Sequence, residues 1–223
     1  MVKNYSMNII DTRSNINLTN YQKDSVRNIP LFQIKGIGYS LKSKDYTDII
    51  FQSIPSVKFF NDYEFLRNKN IYSMGASTQN FLSQKGIISI CPEVPGSEGL
   101  NKLLSKNKNN HKYLVVKGED GLNNIFDYLN EKGKDVKELI CYTRFKLDSY
   151  EDIKKDFYKA DAIIFSSTYA VEVFFNEVYS GDMNATFFGI SNRIIKFISD
   201  LGYEAKFIDY FSDDIVESIK NSI

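Results

Sequence analysis

The sequence predicts an α/β protein built as two similar lobes with parallel sheets, and a repeat within the chain is the main reason. The run Ile-Ile-Phe-Gln-Ser at residues 49–53 returns as Ile-Ile-Phe-Ser-Ser at residues 163–167. At the same offset Gly75 returns as Gly189, and Ser77 returns as Ser191. Each copy is typical of a buried strand, a hydroxyl-led helix, a strand ending in glycine and a second hydroxyl-led helix.

Alternation of strands with helices is the second reason, because it favours parallel sheets covered on both faces. A duplicated α/β unit also implies a cleft between two lobes. Two sets of helix N-termini could then approach one ligand, and such ligands bind beyond the carboxyl ends of the strands.

The predicted elements follow in chain order from apolar runs and from the residues that interrupt them. Strands are predicted at residues 7–10, 30–34, 48–51, 71–74, 87–90, 113–118, 136–142, 162–165, 187–189 and 205–208, the last as an inner strand. Helices are predicted after Ser53, from 77 to 86, near 100–104, through 122–129, through 171–175, from 191 to 202 and over 211–223. Residues 14–29 are polar, so any helix there would be short.

Composition excludes several classes of protein. Lys+Arg and Asp+Glu are both 28, so the net charge of zero argues against nucleic-acid binding through global charge. No apolar run approaches the roughly 20 residues of a membrane helix. The first six residues lack the apolar core of a signal peptide, so we expect a cytoplasmic protein that does not bind membranes.

Few residues are available for metal or cofactor chemistry. Cys91 and Cys141 are lone thiols and are expected to stay reduced, and the single histidine, His111, lies in a polar loop and is expected to be solvated. We therefore expect no metal site. Residues 117–121 lack the phosphate-loop pattern and no Gly-x-Gly-x-x-Gly follows a strand, so we expect no cofactor.

Hydroxyl and amide side chains follow the predicted strands and form the candidate binding groups. They are Ser53, Ser77, Thr78, Ser166, Ser167, Ser191 and Asn192. Each is expected to cap a helix, and capping is compatible with anion binding at the same helix start. Tyr142 differs by its place on the segment that connects the two repeats, from where its ring would project into the cleft. A phenol there could donate a proton to a leaving hydroxyl.

The ordered motifs resemble those of the uroporphyrinogen-III synthase family over essentially the full chain. They are Thr-Arg at 12–13, Pro-Leu-x-x-Ile at 30–34, Gly-x-Ser-Thr at 75–78, Leu-Val-Val-Lys-Gly at 114–118, Asp-Ala-Ile-Ile-Phe-Ser-Ser at 161–167, Gly-x-Ser-Asn at 189–192 and Leu-Gly-Tyr at 201–203. No single motif is specific, and the resemblance depends on their order and spacing.

The resemblance implies a discontinuous fold of two three-layer lobes. One lobe would comprise residues 1–33 and 144–223, with the N-terminal strand swapped into it, and the other residues 34–143. A two-stranded linker near 31–38 and 138–144 would join them.

The resemblance also implies an enzyme that dehydrates and cyclises the linear tetrapyrrole hydroxymethylbilane to uroporphyrinogen III, inverting ring D, without metal or cofactor. Tyr142 matches the tyrosine proposed to assist loss of the hydroxyl. The implied substrate-binding residues are Thr12, Arg13, Ser53, Gly75, Ser77, Thr78, Lys117, Gly118, Ser166, Ser167, Gly189, Ser191 and Asn192. We expect a monomer that binds hydroxymethylbilane and uroporphyrinogen III and makes a transient contact with hydroxymethylbilane synthase.

Several positions depart from the family pattern and keep a second hypothesis open. Asn192 replaces a usual threonine, Gln52 replaces the usual threonine before Ser53, and Leu122 stands where many members carry arginine. Ser14 replaces a common proline, and the segment between Arg13 and Pro30 is short. The alternative is a weak or inactive two-lobed relative that binds tetrapyrroles or other anions. A flavodoxin-like signalling module is disfavoured, because it would leave the repeat unexplained.

Overall fold

The computed structural model describes residues 7–14, 26–107, 111–210 and 214–223. These residues divide into two compact units, and each is described by itself. The first unit comprises described residues of 1–33 and 145–223, and the second comprises those of 34–144. Expectations for residues 1–6, most of the 14–29 segment and the start of the 211–223 helix lie outside the described residues.

The strands alternate with helices along the chain. The strands are β1 Ile9–Asp11, β2 Val26–Asn28, β3 Phe32–Gly36, β4 Asp48–Phe51, β5 Asn70–Ser73, β6 Lys112–Gly118, β7 Asp135–Lys146, β8 Ala162–Phe165, β9 Thr186–Gly189 and β10 Ala205–Phe207. The helices are α1 Ile54–Lys58, α2 Ala76–Gln84, α3 Ser97–Leu104, α4 Asn124–Glu131, α5 Glu151–Tyr158, α6 Thr168–Val173, α7 Asn192–Asp200 and α8 Ile215–Lys220. A 3₁₀ turn covers Tyr63–Leu66, and a π-helical turn, Phe174–Val178, continues α6.

The sheet of the second unit has the order β3-β7-β6-β4-β5, with parallel pairing of β4 to β5, β4 to β6 and β6 to β7. Residues of β4 alternate between its two faces. Ile49 and Phe51 pack with Val57 of α1, whereas Ile50 packs with Ile125 of α4. Both faces are therefore covered by helices, which explains why residues 49–51 of β4 are all apolar.

The sheet of the first unit has the order β10-β9-β8-β1-β2, with parallel pairing throughout. The N-terminal strand β1 thus lies beside β8 from the other end of the chain. One face packs on α8, where Ile164 and Ile219 share a cluster. The other carries an aromatic cluster in which Phe174 lies 5.3 Å from Phe165 and 5.7 Å from Phe187, between ring centroids.

The prediction of an α/β fold with parallel sheets is confirmed, and the differences lie in individual elements. The predicted strand at 87–90 is wrong: only a single bridge, Tyr72 to Ile90, pairs it with β5, and Ile88 is 93% exposed. Helix α2 begins after Gly75, not at Ser77, and α4 begins after Leu122. The strand predicted as an inner one, β10, lies at the sheet edge.

Three predicted helix ends are confirmed by backbone conformation. Gly86, Gly133 and Gly202 have φ values of 75°, 67° and 88°. This left-handed region is accessible to glycine without the steric cost of a Cβ atom, so these residues end α2, α4 and α7. No helix within the described ranges is long and apolar enough to cross a membrane.

Candidate active site

The carboxyl ends of β4, β6 and β7 bring a serine, a glycine and a tyrosine together in the second unit. Ser53 follows β4, Gly118 ends β6, and Tyr142 lies in β7 directly beside Gly118 in the strand register. The Ser53 Oγ and Tyr142 Oη atoms are 3.0 Å apart, which is hydrogen-bond distance. Two residues predicted from separate motifs are therefore direct neighbours.

Ser53 is fixed in place by its role as the N-cap of α1. Its extended backbone precedes the helix, and its Oγ accepts a hydrogen bond from the Ser56 N–H at 3.2 Å. The Ser56 side chain completes a capping box by accepting from the Ser53 N–H at 3.1 Å. Pro55 in the first turn favours the same helical start. The start of α1 therefore fixes the position of the Ser53 hydroxyl oxygen.

A β-bulge sets the face on which Tyr142 lies. Lys117 pairs with Ile140 but Gly118 pairs with Tyr142, so Cys141 is an extra residue in β7. Side chains of a regular strand alternate between faces. Because of the bulge, Cys141 and Tyr142 both pack in the cluster that contains Val57 of α1. An unbulged strand of this sequence would turn Tyr142 away from α1 and Ser53.

Gly118 provides the surface on which the Tyr142 ring rests. A Cβ atom at Gly118 would lie 2.5 Å from two ring carbons and 2.9 Å from the hydroxyl oxygen. The ring is only 4% exposed, and its centroid is 6.3 Å from that of Phe59. The ring is therefore buried, with its hydroxyl at the Ser53 end of the site, and its projection into a cleft stays a prediction.

The turn after β6 is held close to the same edge. Gly121 N–H donates to the Gly118 carbonyl at 2.9 Å, and Gln52 Nε2 donates to the Leu122 carbonyl at 3.0 Å. The Gln52 side chain thus bonds to the backbone at position 122, which ties the β6 turn to the end of β4.

Lys117 is buried and paired. Its side chain is 2% exposed, and Nζ lies 2.7 Å from Glu138 Oε1 and donates to Asn123 Oδ1. A buried charge is stable only with such partners. The ammonium thus already has acceptors here, and a role in binding substrate carboxylates stays a prediction that would require this pair to open.

The loop after β5 leads into α2. Gly75 is the N-cap of α2 with an extended backbone, and Ser77 and Thr78 lie in the first turn. Ser77 is exposed and Thr78 is buried. The backbone N–H groups of this first turn lie at the sheet edge that also carries Ser53.

In the first unit, Thr12 and Arg13 follow β1. Thr12 is buried and donates through Oγ1 to the Ile164 carbonyl at 2.8 Å, so its hydroxyl joins β1 to β8. The Arg13 guanidinium carbon lies 3.5 Å from the centroid of the Tyr210 ring, a cation–π contact. Tyr210 Oη donates to the buried Asp11 at 2.7 Å, and Arg13 N–H donates to the same carboxylate at 3.0 Å.

Asp11 and Tyr210 were missed in the sequence, although they support Arg13. The signal was an aspartate at the end of an apolar run, because a buried carboxylate requires hydrogen-bond donors. Its partner is distant in the sequence, so no local pattern pointed to Tyr210.

The loops after β8 and β9 also lie at this edge of the first unit. Ser166 precedes Ser167, which is the N-cap of α6 and accepts from the Ala170 N–H at 3.2 Å. Ser191 is the N-cap of α7, and Asn192 is its exposed first residue. Gly189 is packed closely: a Cβ atom there would lie 3.0 Å from Ile195 and 3.1 Å from Ile194.

The sequence also singled out two cysteines and one histidine. Cys91 is half-buried and Cys141 is buried, both as free thiols, as predicted. Burial raises the pKa of Cys141 to about 12. The solvated state predicted for His111 is wrong: Nδ1 lies 2.7 Å from Oδ2 of the buried Asp48. Among the described residues, no three His, Cys, Asp or Glu side chains could together hold a metal ion.

The protein is thus a parallel α/β protein in which hydroxyl side chains follow the strands at the carboxyl edge of each sheet. In the second unit one of these hydroxyls, that of Ser53, contacts Tyr142. The model of the uroporphyrinogen-III synthase HemD family matches residues 28–209. The chain therefore belongs to the uroporphyrinogen-III synthase HemD family. Its activity by family is that of a lyase of tetrapyrrole biosynthesis. No curated protein matches the chain in sequence.

Solved structures support the fold. The uroporphyrinogen-III synthetase of Helicobacter pylori aligns with a TM-score of 0.72 at 16% identity, covering 97% of this chain and 99% of that one. A mutant uroporphyrinogen III synthase of Thermus thermophilus aligns with a TM-score of 0.62 at 12% identity, covering 97% and 98%. At these identities the similarity is one of fold.

Proposed function

We propose that the chain converts hydroxymethylbilane to uroporphyrinogen III, with ring D inverted, and that Tyr142 donates the proton with which the ring A hydroxyl leaves. The observation that carries the proposal is the 3.0 Å contact between Ser53 Oγ and Tyr142 Oη at the carboxyl edge of a parallel sheet. Ligands of such sheets bind at this edge. A phenol carries its proton at neutral pH and can donate it.

Binding in this proposal depends on local groups, because the protein has no net charge. The substrate bears a carboxylate on each acetate and propionate arm. The N-termini of helices α2 and α7 lie at Ser77–Thr78 and at Ser191–Asn192, where the helix dipole favours an anion. Arg13 adds a cation that lies over the Tyr210 ring. The remaining proposed binding residues lie at the same two sheet edges, each within its own unit: Thr12, Gly75, Lys117, Gly118, Ser166, Ser167 and Gly189.

The chemistry balances without a cofactor. The bond between the ring A methylene carbon and its oxygen breaks, its electron pair leaves on oxygen, and that oxygen takes the phenol proton and departs as water. The carbon then bonds to the ring D α-carbon that already carries the methylene bridge from ring C. That bridge bond breaks and forms again at the other, unsubstituted α-carbon of ring D, which inverts the ring. Loss of the C–H proton from that carbon restores the aromatic pyrrole and returns a proton to the phenol. The protein selects the isomer by holding the linear tetrapyrrole in one folded conformation, so much of the catalysis is orientation.

We also propose the domain arrangement of the family for this chain. One lobe would be residues 1–33 with 144–223, the other 34–143, with linkers near 31–38 and 138–144 and the N-terminal strand in the first lobe. The pairing of β1 with β8 supports this proposal. We also propose a cytoplasmic monomer that contacts hydroxymethylbilane synthase only transiently, since the product of that enzyme is the substrate of this one. Analytical ultracentrifugation of the two proteins, alone and mixed, tests both the monomer and the contact.

The test of the function is an isomer assay. Purified protein is incubated with enzymatically made hydroxymethylbilane, the products are oxidised, and the type I and type III isomers are separated. Spontaneous closure gives type I, so we expect type III in proportion to enzyme. Type I alone would contradict the proposal and favour the inactive relative, which would still bind uroporphyrinogen III.

Removing only the phenol oxygen of Tyr142 tests the proton donor. Tyr142→Phe keeps the ring on Gly118, and general-acid assistance is worth about 10²–10⁴-fold, so we expect the rate of type III formation to fall within that range. Stability should change little, because Ser53 retains its bond from Ser56. An unchanged kcat in the isomer assay would move the donor off Tyr142.

A further inference from the structure

We infer that Ser53 is a positioning residue that acts through Tyr142, by donating its hydroxyl proton to the Tyr142 oxygen and leaving the phenol proton for the substrate. This inference rests on the proposed role of Tyr142 as proton donor. It assigns the Ser53 hydroxyl to the tyrosine, whereas the sequence assigned it to the substrate.

The hydrogen bonds around Ser53 favour one direction of proton donation. Ser53 Oγ accepts from the Ser56 N–H at 3.2 Å, and a backbone N–H can only donate. This bond occupies one of the two lone pairs of Oγ and leaves its O–H for another acceptor. Tyr142 Oη lies 3.0 Å away, where either oxygen can donate, and once the phenol proton moves to the substrate only Ser53 can donate. The chain then runs from N–H to serine hydroxyl to phenol hydroxyl, and ends on the proton that the reaction requires.

The surroundings keep both oxygens in this geometry. The capping box fixes Ser53 at the start of α1, and Gly118 fixes the plane of the Tyr142 ring. The bulge at Cys141 turns the ring to the α1 side. Three separate features, a cap, a glycine and a bulge, thus converge on one hydrogen bond. A serine that served only as a helix cap would require the capping box, but neither the glycine nor the bulge.

The relay matters most when the reaction places charge on the tyrosine. As the phenol proton moves to the departing hydroxyl, the tyrosine oxygen gains negative charge. Ser53 then donates to an anion instead of a neutral oxygen, and hydrogen bonds to charged groups are stronger. The contribution is therefore larger in the transition state than in the substrate complex, and it should appear in kcat rather than in KM.

A double-mutant cycle tests this inference. The four proteins are wild type, Ser53→Ala, Tyr142→Phe and the double variant, and each is assayed for kcat and KM of type III formation. We expect Ser53→Ala to lower kcat about 10- to 100-fold, the worth of one hydrogen bond to a charged oxygen, with KM nearly unchanged. In the Tyr142→Phe background the same substitution should change kcat little, because the oxygen on which it acts is absent.

Two further variants separate the relay from helix capping. Ser56→Ala removes part of the capping box but leaves the Ser53 hydroxyl and its backbone donor, so it should lower stability without the loss in kcat. Ser53→Thr keeps a capping hydroxyl and should restore most of the rate.

The outcomes are distinct. Equal losses for Ser53→Ala in both backgrounds, or a loss confined to KM, would overturn the relay and leave Tyr142 as donor. No loss for Tyr142→Phe would overturn both. Failure of the wild type to form type III would instead reject the proposed function.

Discussion

A single methyl group at position 118 would occupy the space in which the Tyr142 ring lies. We expect Gly118→Ala to displace the ring, because the added carbon would approach it to 2.5 Å. The predicted result is a fall in kcat similar to that of Tyr142→Phe, with a loss of stability of about 1–3 kcal/mol from overpacking. Urea denaturation and the isomer assay measure the two effects.

The matched control is Gly181→Ala, because a Cβ atom there would meet nothing within 4 Å. It should leave both quantities unchanged. Full activity of Gly118→Ala would show that the ring does not depend on this glycine.

The paired Lys117 gives a second prediction. Glu138→Gln leaves the buried ammonium without its carboxylate, and we expect a loss of about 1.5–3 kcal/mol of unfolding free energy. Lys117→Met removes the buried ammonium itself and fills similar volume. The carboxylate that it leaves, Glu138, is 27% exposed and can be solvated, so this variant should cost less. Thermal unfolding of both variants provides the comparison.

The same pair decides between two roles for Lys117. If the ammonium serves the fold, Lys117→Met should retain the wild-type KM for hydroxymethylbilane. A KM raised about tenfold corresponds to a loss of about 1.4 kcal/mol of binding free energy. Such a change would show that the pair opens and that Lys117 reaches a substrate carboxylate.

The thiol of Cys141 can be used to measure how tightly strand β7 packs. Burial raises the pKa of Cys141 to about 12, so at pH 8 roughly one molecule in 10⁴ carries the reactive thiolate. The fraction rises with pH but stays small until the pKa is approached. We expect iodoacetamide to modify Cys91 alone in the native protein at pH 8, and both cysteines after unfolding.

Peptide mass spectrometry identifies the labelled cysteine. Native labelling of Cys141 at the rate of Cys91 would mean that β7 separates readily from α1. Slow labelling of Cys141 that follows urea concentration would measure that opening directly.

The elements that could be predicted are those whose burial is uniform. Residues 49–51 and 162–165 are buried on both faces of their sheets, so they form continuous apolar runs in the sequence. The Ile-Ile-Ser-Ile run at 87–90 is also rich in isoleucine but meets β5 at one bridge only. Helix α5 was not predicted, because Phe157 is the one buried position that its eight residues provide.

The candidate site could be predicted in its parts but not in its contacts. Ser53 and Tyr142 stood out by their places after a strand and on the connecting segment. Their contact depends on the bulge at Cys141, and alternation counted along β7 would turn Tyr142 the other way. Asp11 and Tyr210 meet across nearly the whole chain, so only the fold brings them together.

For the molecule as a whole, we expect the reaction product to stabilise the fold through both units. Ligand that binds only the native state adds RT ln(1 + [L]/Kd), about 2.7 kcal/mol at a hundredfold excess over Kd. Uroporphyrinogen III should therefore raise the melting temperature. Hydrogen exchange should slow in the Ser53 and Ser77 loops of the second unit and in the Ser167 loop of the first.

A neutral control compound of similar size, such as a porphyrin octaester, should give neither effect, since its arms carry no charge. Protection confined to one unit, or to residues away from the strand ends, would contradict binding at both sheet edges.

The bulge in β7 has a consequence for how this chain is to be aligned with others. Ile140 and Tyr142 pair with consecutive residues of β6, so the ladder on either side of Cys141 keeps its register whether or not that residue is present. A relative one residue shorter here would place its tyrosine on the same glycine. A sequence alignment that forbids gaps inside strands would place Tyr142 one position away from the tyrosine of such a relative. The tyrosine would then be scored as absent although both proteins retain it.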